Sequence, residues 1–188
     1  MNRIAVALAS GCILFGAASA GAQDKPDMSH VDAVTAYVTE HVKPWLSDPA
    51  LIEAVNAETE KHNRLNYEEI QKLDQDWKDK APIVEEIMGN ATSAMLKEKM
   101  AEAPALTEIF VMDAQGFNVG QTGETSDYYQ ADEAKWQKTY PVGPDAIFVD
   151  VAEEDGGKKI APASLAVADS SGKVVGAVTV GVDIGMLK

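Results

Sequence analysis

The sequence predicts an α+β fold in which N-terminal helices pack on an antiparallel sheet. Apolar residues recur at helical spacing up to Pro104, and short apolar runs of strand length follow it. The pattern V-x-D-x-x-G-x-x-V-G occurs twice in the second half, at 111–120 and 167–176. Because Asp opens a tight turn and Gly accepts the positive φ that closes it, each copy predicts a β-hairpin.

The N-terminus has the pattern of a secretory signal peptide. Arg3 precedes an apolar stretch that ends in small residues, so residues 1–22 are predicted to be removed by cleavage after Ala20 or Ala22. An uncleaved membrane anchor and a lipid anchor on Cys12, the single cysteine, are the alternatives. Cleavage predicts a periplasmic or secreted protein that no longer inserts into the membrane.

We expect the intact mass of protein isolated from the native periplasm to correspond to a chain that begins at Gly21 or Gln23. The reason is that small residues stand at the positions that signal peptidases require. A mass that retains Met1, or one that includes a diacylglycerol on Cys12, would contradict cleavage and indicate an anchored protein.

Charge and composition exclude several function classes. The formal net charge is −14, and it becomes −15 when Arg3 leaves with the signal peptide. With no basic patch, nucleic acid and anionic membranes are not expected partners. The mature chain has no cysteine, its histidines lack the i, i+4 spacing of a helical zinc site, and no catalytic fingerprint is present. We therefore expect neither an enzyme nor a bound metal or cofactor, although Glu153–Asp155 leaves weak calcium binding as an alternative to a solvated turn.

Residues 23–104 form the predicted helical part. The first helix covers the apolar stripe from Val31 to Leu46, and Asp48 caps a second helix that begins at Pro49. Asn66 is a candidate cap for a third helix. A fourth helical stretch begins at Pro82, and Gly89-Asn90 is a candidate break within it. On the second helix, His62 belongs to the apolar stripe, which favours a hydrogen-bonded core histidine over a metal ligand.

Residues 105–188 form the predicted sheet part. A turn is expected at Asp155-Gly156-Gly157, and a short helix from about Ala131. Pro162 predicts a bulge or a later strand start near Ala163, since proline cannot donate to the ladder. The five strands are predicted at about 106–112, 117–121, 146–152, 158–168 and 173–183.

Each of the last two strands has a bulky face and a small face. In the last strand Val174, Val178, Val180 and Val182 alternate with Val175, Ala177, Thr179, Gly181 and Asp183. In the strand before it, Leu165 and Val167 alternate with Ser164, Ala166 and Ala168. The bulky face suits packing against a helix, and the small face leaves either room for a ligand or close packing against another helix.

This order of elements resembles the Cache-type (PDC, PAS-like) extracellular sensor domains over about residues 30–185, as one domain. The resemblance rests on the helices, the two D-x-x-G hairpins and the closing strand V-V-G-A-V-T-V-G-V-D. It implies N-terminal helices packed on a five-stranded antiparallel PAS-like sheet. It also implies a small-molecule site between the sheet and the segment joining the second and third strands. Such domains serve chemoreceptors and histidine kinases, so a membrane receptor or kinase is the expected partner of a stand-alone secreted form without its own output domain.

The expected site residues combine aromatic faces, charges and small-face hydroxyls. The alternative for the aromatic side chains is that they form the buried side of a short helix. The alternative for the aspartates is that they are solvated residues at a turn or a strand end. Lys135 is the only charged candidate for binding a carboxylate, since no arginine lies in the sheet half. The predicted ligand-binding residues are Tyr128, Tyr129, Lys135, Trp136, Asp150, Ser164, Thr179 and Asp183.

These residues predict a small amine or a neutral polar compound rather than a dicarboxylate. Aromatic faces and aspartates suit a cation, whereas donors for two carboxylates are scarce. The alternative function is a pocketless module that dimerises or docks through its helices, and a second copy of the chain is then a candidate partner. A cavity lined by Tyr128, Tyr129, Trp136 and the small face of the sheet would favour the sensor, and a filled one would favour the docking module.

Overall fold

The computed structural model describes residues 26–187. The predicted signal peptide and Cys12 lie outside the described residues. Within them the helices precede the sheet, as the apolar spacing predicts. None of the described helices combines the length and the apolar character needed to span a bilayer.

Among the described residues, five α-helices precede the sheet and a one-turn α-helix follows its second strand. The capping predictions are confirmed: the Asp48 side chain accepts from the Ala50 amide, and Asn66 forms a capping box with Glu69. Asn90 caps a new helix, so the break at Gly89-Asn90 is confirmed as well. The helices are α1 Val31–His41, α2 Pro49–His62, α3 Tyr67–Lys78, α4 Pro82–Gly89, α5 Ala91–Glu102 and α6 Ala134–Gln137.

The sheet is antiparallel throughout, in the order β2-β1-β6-β5-β3, and β4 pairs beyond β3 on the same edge of β5. Apart from β4, the edge strands are β2 and β3, and the last strand, β6, lies at the centre of the sheet. The fold is the α+β, PAS-like one that the sequence predicts. The strands are β1 Leu106–Met112, β2 Asn118–Gln121, β3 Ile147–Val149, β4 Glu153–Asp155, β5 Lys158–Ala168 and β6 Val174–Asp183.

The third strand and the position of Pro162 differ from the prediction. The predicted third strand is divided into β3 and β4, which gives six strands instead of five. Pro162 lies inside β5 without a register shift, paired with Gly181, so the expected bulge or later start is wrong. The physical reason is that the Pro162 carbonyl accepts from Asp150, just past the end of β3. The missing proline N–H therefore faces the interruption between β3 and β4, where the ladder needs no donor.

The bulky face of the sheet packs against the N-terminal helices. Val178, Val180 and Val182 of β6 are buried with Leu165 and Val167 of β5 in the main core, to which α1, α2 and α5 contribute. The register shifts between Val167 and Ala168. Val175 consequently joins this core and Val174 is only half-buried, opposite to the predicted alternation at those two positions.

The two D-x-x-G hairpins share their turn geometry and differ in burial. Gly116 and Gly172 have φ of 88° and 84°, as the turns require. The first turn lies under α2, where Asp113 is completely buried and bonded to His62 at 2.7 Å, so the core role of His62 is confirmed. The second turn projects into solvent at Ser170–Lys173.

Candidate ligand-binding cleft

A cleft of about 440 Å³ opens on the small face of the sheet, on the side opposite the main core. Strands β1, β3, β5 and β6 form its floor, and the segment that leads into α6 forms one wall. Its volume falls within the range of sites for small metabolites. The residues that line it are Glu108, Phe110, Glu133, Lys135, Phe148, Asp150, Val151, Glu153, Pro162, Ser164 and Thr179.

The floor is one row of cross-strand neighbours, here called the floor row: Phe110, Thr179, Ser164 and Phe148. Phe110 pairs with Thr179, Thr179 with Ser164, and Ser164 with Phe148. The row spans three inter-strand spacings of about 4.8 Å each. Small hydroxyl residues at its centre and phenyl rings at its ends produce a trough with apolar walls.

The two central hydroxyls bond to each other. Ser164 Oγ lies 2.9 Å from Thr179 Oγ1, and the two residues are 1% and 2% exposed. Only one of the two hydroxyl hydrogens is used in this bond, so the other is available to a ligand, as are unused lone pairs. The pair therefore offers both a donor and an acceptor at the bottom of the cleft.

The charged groups around the cleft are mainly acidic. Four of its lining residues carry carboxyl groups, and Lys135 carries the one ammonium among them. That ammonium already lies 3.0 Å from Glu133 Oε2. A smaller neighbouring cleft of about 280 Å³ shares Glu108 and Glu153 and adds Asp155. The resulting field favours a cation over an anion.

Glu108 has a perturbed acidity within this cleft. Partial desolvation by the surrounding protein atoms raises the pKa of its carboxyl group, although Glu108 is an exposed residue. The Lys135 ammonium lowers this pKa and the Asp155 carboxylate raises it, both more weakly.

The first part of the segment between β2 and α6 is fixed to α3, outside the cleft. Asp74 accepts from the backbone amides of Tyr128 and Tyr129, at 2.9 and 3.2 Å. The Trp77 indole donates to the Thr125 carbonyl at 2.8 Å and its ring stacks on Tyr128, with centroids 5.4 Å apart. These contacts hold the start of the wall in a defined position.

Four of the predicted site residues meet in the cleft. Lys135, Asp150, Ser164 and Thr179 all line it, although they come from four different segments of the chain. The Asp150 side chain accepts from the Val151 amide at 2.8 Å, which orients its carboxylate at the rim. The structure thus places these four around one volume.

The other four predicted residues lie elsewhere. Tyr128 is 1% exposed in a cluster with Trp77 and Phe117, where burial raises its pKa. Tyr129 packs on the same cluster, and Trp136 stacks on Tyr140 beside the cleft. Asp183 accepts from the Gly185 amide and lies 3.6 Å from Lys158.

Sequence reasoning missed the two phenyl rings and most of the carboxylates. Phe110 and Glu108 lie two residues apart on β1, and Phe148 and Asp150 are similarly spaced at β3. The alternation that separates the faces of β5 and β6 would also have placed Phe110 and Glu108 on the small face, had it been applied to β1.

Comparison with known proteins finds similar proteins among solved structures. No family model matches the chain, and no curated protein matches its sequence. The sensor domain of the Vibrio cholerae histidine kinase DctB is 13% identical with a TM-score of 0.48, and the match covers 83% of this chain and 51% of that one. The Escherichia coli DcuS sensor domain is 12% identical with a TM-score of 0.47, over 86% and 96% of the two chains.

A third similar structure is the ligand-binding domain of the Campylobacter jejuni chemoreceptor Tlp3 in complex with L-valine. It is 18% identical with a TM-score of 0.39, over 82% of this chain and 58% of that one. These three proteins are sensor or ligand-binding domains. The chain spans about half the length of the DctB sensor domain that it matches.

Proposed function

We propose that this protein is a small-molecule-binding sensor domain, exported from the cytoplasm, whose ligand occupies the cleft on the floor row. The observation that carries the proposal is the open volume of about 440 Å³ above the buried Ser164–Thr179 hydroxyl pair. A pocketless docking module has no need for paired hydroxyls beneath an unfilled trough. Binding would then be reported to a membrane receptor or kinase partner.

The proposed binding residues are those the cleft brings together. Ser164 and Thr179 would hydrogen-bond the ligand at the floor, Phe110 and Phe148 would enclose it, and Asp150 would receive a positive group at the rim. Tyr128, Tyr129, Trp136 and Asp183 have no place in this proposed site, because other contacts engage them.

The charge balance of the cleft supports an amine or a neutral polar ligand. A cation–π contact contributes roughly 0.5–2 kcal/mol, and a hydrogen bond to a charged group roughly 1.5–3 kcal/mol. Micromolar affinity requires about 8 kcal/mol, so burial of apolar ligand surface against the two phenyl rings must supply the remainder.

The test is a thermal-shift screen against a metabolite panel, followed by calorimetry with small amines and with dicarboxylates. We expect an amine or a neutral polar compound to bind with micromolar affinity and the dicarboxylates to bind at least about tenfold more weakly, since each carboxylate would approach several others. Tight dicarboxylate binding that disappears in Lys135→Ala would show that the charge argument is wrong. If no compound shifts the melting temperature, the docking module becomes the better explanation.

Amine binding is expected to weaken as the pH falls through the raised pKa of Glu108. The ionised Glu108 carboxylate attracts the ammonium group of the ligand, and its protonation removes this attraction. Because the pKa of Glu108 is raised, this protonation occurs at pH values above the ordinary glutamate pKa of about 4.3. Calorimetry with n-butylamine between pH 4.5 and pH 7.5, wild type beside Glu108→Gln, measures the effect. The variant should bind more weakly at neutral pH and lose the wild-type slope in that interval.

The contribution of Glu108 to the free energy of unfolding changes with pH in the opposite direction to its contribution to amine binding. Because folding raises the pKa of Glu108, the folded state binds more protons than the unfolded state between the two pKa values, and this group's contribution falls as the pH rises. Glu108→Gln should therefore melt no lower than wild type at neutral pH. Equal pH slopes of amine affinity in the two proteins would contradict a role for Glu108 in the cleft.

A further inference from the structure

Both phenyl rings of the floor row carry an ammonium group from the chain itself. Lys135 Nζ lies 5.2 Å from the Phe110 ring centroid, and Lys138 Nζ lies 4.1 Å from the Phe148 ring centroid. Both distances are within the range of about 6 Å over which a ring face attracts a cation. The two lysines come from α6 and the residue that ends it.

The surroundings of Lys135 are those of a formed ammonium site. Its Nζ donates to Gln130 Oε1 at 3.1 Å and lies 3.0 Å from Glu133 Oε2, with the Phe110 ring as the third contact. A carboxylate, an amide oxygen and an aromatic face are the three kinds of group that bind a primary ammonium. The Lys135 side chain is only one quarter exposed.

We propose that Lys135 is a tethered competitor: its ammonium fills the position over Phe110 that the ammonium of a free amine ligand takes. Lys138 fills the equivalent position over Phe148. This inference rests on the proposed function and specifies it, since it assigns an ammonium subsite within the cleft. Binding then exchanges one cation for another, and the displaced lysine moves to the solvent at the rim.

The exchange leaves the electrostatics of the cleft favourable. Glu108, Asp150 and Glu153 remain unpaired with Lys135, so a ligand cation still meets excess negative charge when the lysine leaves. The apparent affinity for an amine is reduced by the fraction of time for which the tethered ammonium occupies the subsite. Lys135 therefore sets the concentration at which the protein responds.

The first test measures n-butylamine and tetramethylammonium binding by calorimetry in wild type and in Lys135→Ala. We expect the variant to bind both cations about tenfold more tightly, the factor for a subsite that its tethered group fills about nine-tenths of the time. Lys135→Arg keeps a tethered cation and should retain the wild-type affinity. Lys138→Ala should add a further gain when it is combined with Lys135→Ala.

Lys173→Ala is the charge-matched control, since it removes one positive charge from the exposed second hairpin, away from the rings. It should leave the affinity unchanged. Unchanged or weaker cation binding in Lys135→Ala, an equal gain in Lys173→Ala, or no cation binding by any of these proteins would overturn the inference. The proposed sensor function survives those outcomes if a neutral ligand from the panel still binds the wild type and fails to bind Thr179→Leu.

A second measurement observes the displacement directly by NMR. The ε-methylene protons of Lys135 and Lys138 lie near ring faces, so their signals should be shifted upfield in the free protein. Saturation with n-butylamine should return the Lys135 signal towards its ordinary position. An upfield signal that persists when the amine is bound would show that Lys135 stays on Phe110, and the inference would fall.

Discussion

Thr179→Leu is expected to abolish ligand binding while leaving the protein folded. The Thr179 side chain stands at the centre of the floor row, 2% exposed and bonded to Ser164 at 2.9 Å. A leucine extends into the open cleft instead of into packed core, so it fills the ligand volume without overpacking. The cost in stability is the unpaired Ser164 hydroxyl, about 1–3 kcal/mol.

Calorimetry with the compound that gives the largest thermal shift in the panel measures this effect, and circular dichroism monitors folding. Thr179→Val is the matched control, because it keeps the volume and removes only the hydroxyl. We expect this variant to bind the ligand about tenfold more weakly. That factor corresponds to the loss of one neutral hydrogen bond of about 1.4 kcal/mol, near the upper end of the usual range for such bonds. Normal binding by Thr179→Leu would place the site elsewhere in the molecule.

Asp113→Ala is expected to destabilise the fold by about 3–5 kcal/mol, the range for breaking a buried ionic or strongly hydrogen-bonded pair. Asp113 is completely buried, and its Oδ1 accepts from the amides of Gln115 and Phe117. Its Oδ2 accepts from His62 Nδ1 at 2.7 Å. The substitution therefore removes three hydrogen bonds and leaves buried donors without a partner.

Asp169→Ala is the control that the chain itself supplies. Asp169 Oδ1 accepts from the amides of Ser171 and Lys173, which is the same turn geometry at the second hairpin. Because that turn is open to water, water molecules replace the hydrogen-bond partners that Asp169→Ala removes. The loss in the free energy of unfolding should therefore be less than half of the loss in Asp113→Ala. Urea unfolding of both variants measures the difference. Equal losses would show that the turn, and not the contact with His62, determines the stability of the first hairpin.

These paired hairpins show what a sequence pattern can predict and where it stops. The D-x-x-G pattern specifies both turns, because the Asp side chain bonds amides two and four residues ahead and Gly supplies the positive φ. The pattern is silent on burial. Only the approach of α2, 51 residues away in the chain at His62, makes one turn a core feature and leaves the other at the surface.

The candidate site divides in the same way. Alternation along β5 and β6 predicts Ser164 and Thr179 on one face, since side chains of a strand alternate regardless of what lies above it. The sequence could not predict that the Tyr128 side chain packs against Trp77 instead of lining the cleft. No local pattern indicates that Trp77 stacks on Tyr128 or that Asp74 accepts from its backbone amide. The local sequence pattern around an aromatic residue is the same whether that residue lines a cleft or packs in a second hydrophobic cluster.

The sequence by itself determined the helix caps, the break at Gly89-Asn90, both hairpin turns and, away from the register shift at Val167–Ala168, the two faces of the long strands. Each depends on interactions within about five residues, so the residue types are sufficient. The tertiary structure alone decided the interruption after Val149 that accommodates Pro162, the pairing of Phe110 with Thr179, and the position of Lys135 over the Phe110 ring. Those features depend on the register of strands and on the path of the segment before α6, which are set by contacts between residues far apart in the chain.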